Sequence, residues 1–157
     1  MRVVRVHRKA VELEELGETI RSPRPGAAGA ELAWVEMGVA LPKPAKLEPM
    51  VDRLTQLGIA RLQPLICERT PSHGRVWAPS KQAKLERTVR EAMKQSGRLW
   101  PMDIEAPVDL ATWCSQGGTS TRWLLDSAEA PTLVSCLQGA NPGHPIQLGV
   151  GPEGGWT

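Results

Sequence analysis

Apolar and charged positions alternate twice near the start of the chain, at Val4 and Val6 and again at Val11 and Leu13, the pattern of two short half-exposed strands. Arg21 to Gly29, RSPRPGAAG, breaks that pattern with the Pro and Gly density of a linker, so a boundary is expected near Ser22 to Gly29. From Leu32 to Leu41 the sequence LAWVEMGVAL is nearly continuous in apolar residues, with Glu36 its one charge, which predicts a strand covered on both faces. Met50, Val51, Leu54 and Leu57 then share one helical face, with Pro49 placed in the first turn and Gly58 as the stop. Leu62 to Glu68 reads as a second core strand; Pro64 denies it one ladder donor, so regular pairing is expected only from Leu65. After a polar loop, Arg69 to Ser80, the strongest helical period runs from about Lys81 to Ser96, where Leu85, Val89, Ala92 and Met93 share a face.

The alternation continues with a third strand over Trp100 to Ala106, a short helix over Val108 to Cys114 and a fourth strand, Thr121 to Asp126, ending in a carboxylate. A helical turn around Pro131 to Leu137 leads through GANPGHP to a last short strand marked by Ile146, Leu148 and Val150. Strands alternating with helices predict an α/β fold with a parallel sheet. The last strand is expected at the end of that sheet, its apolar face poorly covered, with low stability or self-association as the consequence. It runs into Gly151, Pro152, Glu153, Gly154 and Gly155, a bare-backbone loop of the kind that binds ligands at the carboxyl ends of parallel strands.

Composition refines this outline. At 157 residues the chain suits one domain, or one domain with a piece of another, and can bury a real core. Net charge is only +2, yet residues 61–100 hold nine Lys/Arg against three Asp/Glu, while residues 101–157 hold one against six. A basic middle suits an anionic partner, although a solvated face would look the same. Arg87, Arg90 and Lys94 fall within about 60° of one another on the helix side opposite its apolar face, forming a basic ridge. Cys67, Cys114 and Cys136 stand far apart, as reduced thiols do, and no apolar run approaches membrane-spanning length, so a cytoplasmic location is expected. His7, His73 and His144 have no ligand spacing, and no metal site is expected.

Gly149, Gly151 and Gly154 satisfy G-x-G-x-x-G after a strand. Pro152 removes a phosphate-binding donor, however, and Glu153 would repel a phosphate, so the loop better suits a ligand with hydroxyl or amino donors or positive charge. Asp126 could be a second ligand group at a strand end, or simply a helix N-cap.

Three segments in order, LPKPAKLEPMVDRLTQLGIARLQPLICERT (41–70), REAMKQSGRLWP (90–101) and LGVGPEGGWT (148–157), resemble the RsmE family of small-subunit ribosomal RNA uridine-N3 methyltransferases. The resemblance covers about residues 31–157. It implies an α/β knot of the SPOUT class, a homodimer and S-adenosylmethionine bound beside the knot. The loop Gly151, Pro152, Glu153, Gly154 and Gly155 matches a cofactor-binding loop of the family, and Leu125 with Asp126 corresponds less closely to a second one. Arg69 and Arg98 end motifs that would face RNA. Gln56 and Lys94 stand where Glu is common in the family, which puts any role for those carboxylates in doubt.

Residues 1–22 resemble the tail of a PUA-like β domain, 23–30 the linker, and 31–157 a methyltransferase domain that lacks its C-terminal knot segment. The chain is therefore expected to be an internal piece of such an enzyme, inactive alone. The expected parent activity is methylation of a uridine ring nitrogen in small-subunit ribosomal RNA, with Arg69 or Arg98 as candidate donors to the uracil oxygens and no catalytic base identified. A non-catalytic RNA-binding module and a nucleotide-binding α/β domain are the alternatives.

Overall fold

The computed structural model describes residues 2–8, 10–14, 17, 22–27, 33–70, 77–116, 121–126, 131–139, 144–153 and 155–156. Arg2–Val6 (β1) and Val11–Glu14 (β2) pair antiparallel as a separate two-stranded sheet. The valines of this hairpin, Val3, Val4, Val6 and Val11, are all exposed. Of the expected linker, residues 28–30 lie outside the described region, and so do most of the loop GANPGHP and His73.

The main sheet is built from Val35–Ala40 (β3), Arg61–Ile66 (β4), Asp103–Ile104 (β5), Val108–Asp109 (β6), Thr121–Leu125 (β7) and Ile146–Val150 (β8). All its pairings are parallel, as the strand and helix alternation predicted. The order is β5-β4-β3-β8-β7, with β6 also on β4. The last strand is therefore interior and not at the end of the sheet: β8 lies between β3 and β7, matching Val39 to Val150 on one side and Leu125 to Val150 on the other. Its expected edge position is corrected accordingly; of its apolar residues Ile146 is buried and Leu148 and Val150 are half-buried.

Pro64 does not delay pairing to Leu65. The ladder to β3 is unbroken from Arg61 to Leu65. The physical reason lies on the other side of β4. The Leu62 carbonyl accepts from Glu105 N–H, so alternate residues of β4, Pro64 among them, point towards β5 and β6. Pro64 falls between those two short strands, where the Gln63 side chain donates to the Pro64 and Ala106 oxygens and no donor from Pro64 is needed. The third strand expected over Trp100 to Ala106 is only Asp103–Ile104 (β5), and the helix expected from Val108 begins at Leu110, its first two residues forming β6.

Pro44–Leu57 (α1) and Pro79–Ser96 (α2) cover one face of the sheet, both starting with Pro at a position where its missing N–H costs nothing. Val51, Leu62 and Leu85 are 0–1% exposed at the centre of this core, each burial being worth about 1.5–3 kcal/mol. Leu110–Ser115 (α3) lies on the opposite face, capped by Asp109, whose carboxylate accepts Thr112 N–H at 2.8 Å. Its Trp113 packs with Ala40, Leu65 and Cys67. That fit requires glycine twice: a Cβ on Gly38 would stand 2.7 Å from the Trp113 ring, and one on Gly149 would stand 2.5 Å from Leu124 and 3.2 Å from the same ring. Leu133–Gln138 (α4) follows β7.

At the amino ends of the strands a polar row crosses this second face. Buried Glu36 accepts from Trp34 Nε1 and Gln147 Nε2, both at 2.7 Å, and pairs with Arg61 at 3.4 Å. Gln147 in turn accepts from Arg122. The one charge in the first core strand is thus satisfied by Trp34 just before the strand, Gln147 on β8 and Arg61 on β4, which is what allows it to be buried.

Candidate ligand loops and basic surface

Because the long strands run parallel, their carboxyl ends gather at one end of the domain. The register Leu125↔Val150 puts Leu125 and Asp126 directly beside the start of the Gly151 loop. Parallel neighbours lie about 4.8 Å apart, so the two expected ligand segments lie side by side. Pro152 is buried, while Glu153 and Asp126 are exposed. The loop turns on a bond from Gly155 N–H to the Pro152 oxygen at 2.8 Å, with Gly155 in the left-handed region at φ +78. Gly154 lies outside the described residues.

Trp156, which pattern reading passed over, holds the loop in place. Its ring packs against the Trp113 cluster, and its Nε1 donates to the Leu125 oxygen at 2.8 Å. A Cβ on Gly151 would come within 3.0 Å of that ring, so the loop's first glycine is required by the tryptophan as much as by any ligand. A single large ring directly after a double glycine was the signal available in the sequence.

The five expected RNA-facing cations are not brought together. Arg69 follows β4 at the carboxyl end, the same end as the Gly151 loop. Arg87, Arg90 and Lys94 are exposed along α2, which runs from the carboxyl end back towards the amino end. Lys94 pairs with Glu91 at 2.8 Å, and the hydrogen bond and charge of Lys94, with a smaller contribution from Arg90, hold the Glu91 carboxyl below its ordinary range. Arg98 is displaced furthest: it is half-buried and donates from Nη1 to the Thr55 oxygen at 2.7 Å, at the C-terminal turn of α1 and the amino ends of the strands. Burial lowers its pKa. Within one chain it is a clamp on α1, remote from the Gly151 loop.

Among the described residues, no group of three or more His, Cys, Asp or Glu is placed to hold a metal ion, and no helix is long and apolar enough to cross a membrane. Cys67 is buried and its thiol is pushed up chiefly by desolvation; Cys114 is exposed.

A family model described as an RNA methyltransferase domain matches residues 30–157. The ribosomal RNA small subunit methyltransferase E of Synechocystis is 35% identical over 157 residues, 96% of this chain and 47% of that protein. The protein of the same name from Rickettsia conorii is 27% identical over 124 residues, 77% of this chain and 48% of that one. The chain spans about half the length of these curated relatives. Among solved structures, a probable rRNA methyltransferase from Porphyromonas gingivalis superposes with a TM-score of 0.73 at 20% identity, covering 99% of this chain and 62% of that one. The ribosomal RNA small subunit methyltransferase E of Neisseria gonorrhoeae, bound to S-adenosyl methionine, gives 0.69 at 22% identity, covering 79% and 50%. These structural likenesses establish the fold, and the family match over most of the sequence settles descent: the chain belongs to the RNA methyltransferase domain family.

Proposed function

We propose that the protein carrying this chain transfers a methyl group from S-adenosylmethionine to N3 of a uridine in small-subunit ribosomal RNA. Membership of the RNA methyltransferase family and the names of the curated relatives support the reaction class. The observation that carries it to particular residues is the junction of the two loops, Leu125–Asp126 beside Gly151–Gly155, tied by Trp156.

The donor set fits that cofactor. Bare main chain at Gly155, with nothing near it, lets a flat ring and ribose hydroxyls lie against N–H and C=O groups, and the exposed carboxylates of Asp126 and Glu153 suit an amino group and a sulfonium. A nucleotide phosphate would meet those same carboxylates unfavourably. In this reading Leu125, Asp126, Gly151, Pro152, Glu153, Gly154 and Gly155 hold the cofactor. When bound, S-adenosylmethionine supplies an electrophilic methyl group.

The protein's own residues then have two tasks. One is alignment of N3 with the methyl, a positioning task that the fixed loop junction serves. The other is to favour the uracil anion left when N3 gives up its proton, by placing cationic donors near O2 and O4. Arg69, at the same end of the sheet, suits that role, and Arg98 in this chain does not. Arg87, Arg90 and Lys94 serve as backbone contacts to the RNA. Residues 1–22 belong to a PUA-like domain, 23–30 to its linker and 31–157 to a SPOUT-type knot domain. The working form is a cytoplasmic homodimer.

The test is calorimetric titration of S-adenosylmethionine, with transfer of labelled methyl to small-subunit RNA as the second readout, on a protein of the relatives' full length carrying this chain. Asp126→Asn and Glu153→Gln are each expected to weaken cofactor binding several-fold. A full-length protein that binds no S-adenosylmethionine overturns the reading.

A further inference from the structure

The chain leaves β4 through a turn that is closed twice by the same two residues. Thr70 N–H donates to the Cys67 oxygen at 3.0 Å, the bond of a β-turn over Cys67, Glu68, Arg69 and Thr70. Cys67 N–H donates to Thr70 Oγ1 at 2.7 Å. Burial raises the pKa of the Cys67 thiol and a hydrogen bond with the Thr70 side chain opposes that rise, so the hydroxyl meets both the main chain and the side chain of Cys67. Cys67 and Thr70 are buried, while Glu68 and Arg69 between them are exposed. With Thr70 only 4% exposed, little water reaches the clamp to replace its hydroxyl.

The clamp is joined to the ligand-loop end of the domain. Cys67 belongs to the buried cluster of Ala40, Leu65 and Trp113, against which Trp156 packs. Trp156 in turn ties the loop after β8 to the Leu125 oxygen. β4 and β8 flank β3, so their carboxyl ends are two strand spacings apart, about 10 Å. Pro64 and Val150 both match Val39, so the Cys67 turn stands a few residues beyond the level at which Gly151 leaves β8. Arg69 is thereby carried on the same packed unit as the Gly151 loop, across a gap that a pyrimidine ring and an arginine side chain together can span. A donor that must meet charge as it develops works only as well as its backbone is held.

We propose that Thr70 is a positioning residue for the methyl transfer: its clasp on Cys67 fixes the backbone of Arg69, so that the guanidinium meets the uracil oxygens as N3 loses its proton. This rests on the RNA methyltransferase reading and adds to it the residue that sets Arg69. Thr70 acts through Arg69 and not on the substrate.

The test is steady-state methyl transfer to small-subunit RNA by a protein of the relatives' full length, with Arg69 and Thr70 exchanged singly and together. Arg69→Ala is expected to lower kcat about a hundredfold, the loss of one donor to a developing oxyanion. Thr70→Val keeps the shape, removes the hydroxyl and should lower kcat about tenfold through misplacement of that donor. The KM for S-adenosylmethionine should stay within about twofold of the parent. Thr70→Ser restores the hydroxyl and should recover most of the rate. The double variant Arg69→Ala/Thr70→Val should be no slower than Arg69→Ala, because the clamp then has nothing left to position. A merely structural threonine would instead multiply the two losses.

Thermal melts establish that each variant is folded at the assay temperature. Should Thr70→Val not fold, Glu68→Gly, which loosens the turn at an exposed corner, takes its place in the same cycle. Multiplying losses, a Thr70→Val enzyme as fast as the parent, or an Arg69→Ala enzyme as fast as the parent each overturn the positioning role and leave methyl transfer standing. A parent protein that transfers no methyl group overturns both.

Discussion

Trp156 donates its indole N–H to the main-chain oxygen of Leu125 at 2.8 Å, joining the loop that follows β8 to the end of β7. The bond is partly exposed, so its net worth is small, about 0.5–1 kcal/mol. Its larger effect is on loop geometry. Trp156→Phe keeps the ring over Gly151 and removes the donor. We expect a melting temperature within a few degrees of the parent and a several-fold loss of S-adenosylmethionine affinity by calorimetry. Unchanged affinity would show that the tie does not organise the site.

Gly38 and Gly149 face the same Trp113 ring but should not respond equally. At Gly38 the added Cβ meets a buried ring atom at 2.7 Å and Leu65 at 3.1 Å, with nothing free to move. At Gly149 the closest atom belongs to Leu124, which is 47% exposed and can swing outward. Gly38→Ala is expected to cost about 1–3 kcal/mol in urea unfolding and Gly149→Ala less. The reverse order would contradict the packing described.

Arg98→Met separates a structural arginine from an RNA-binding one. It removes the donor to the Thr55 oxygen and is expected to cost about 1–2 kcal/mol of stability. RNA affinity, measured where the variant is folded, should fall less than in Arg87→Ala or Arg90→Ala. A greater loss in Arg98→Met would restore Arg98 to the RNA-facing set.

Cys67 and Cys114 should differ in reactivity and in pH response. The buried thiol of Cys67, pushed up by desolvation, should resist iodoacetamide while exposed Cys114 is alkylated, as mass spectrometry of a time course would show. For stability the sign follows from linkage. A thiol whose folded pKa lies above its unfolded value near 8.5 loses its proton first in the unfolded chain. The contribution of Cys67 is therefore complete below about pH 8.5 and is lost as pH rises through the folded value. Cys67→Ala should flatten the alkaline fall in stability; an unchanged alkaline limb would refute the assignment.

Glu36→Ala strips an acceptor from Trp34 and Gln147 and a counter-charge from Arg61, leaving donors unpaired in a buried row. A loss of about 3–5 kcal/mol is expected in denaturant unfolding. Glu36→Gln keeps an acceptor oxygen and should cost less, and equal losses would show that shape, not hydrogen bonding, governs the site.

Much of the domain could be read in the chain's own pattern. Helical period placed Leu85, Val89 and Ala92 inside and Arg87 and Arg90 outside; Gly58 ended α1; strands alternating with helices required a parallel sheet; and the glycines after Val150 marked the end of β8. These features depend on a residue's neighbours within a turn or two, where sterics and burial act locally. The placement of β8 between β3 and β7 could not be read this way, because strand order is settled by closure over more than a hundred residues. Long-range pairing also turned Pro64 towards a gap between β5 and β6, gave Glu36 three partners and carried Arg98 to the end of α1. It set Trp156 on Leu125 and brought Lys84 on α2 against Glu48 on α1. Periodicity records which face of its own element a residue occupies, while the partner it meets there is chosen by how the elements assemble.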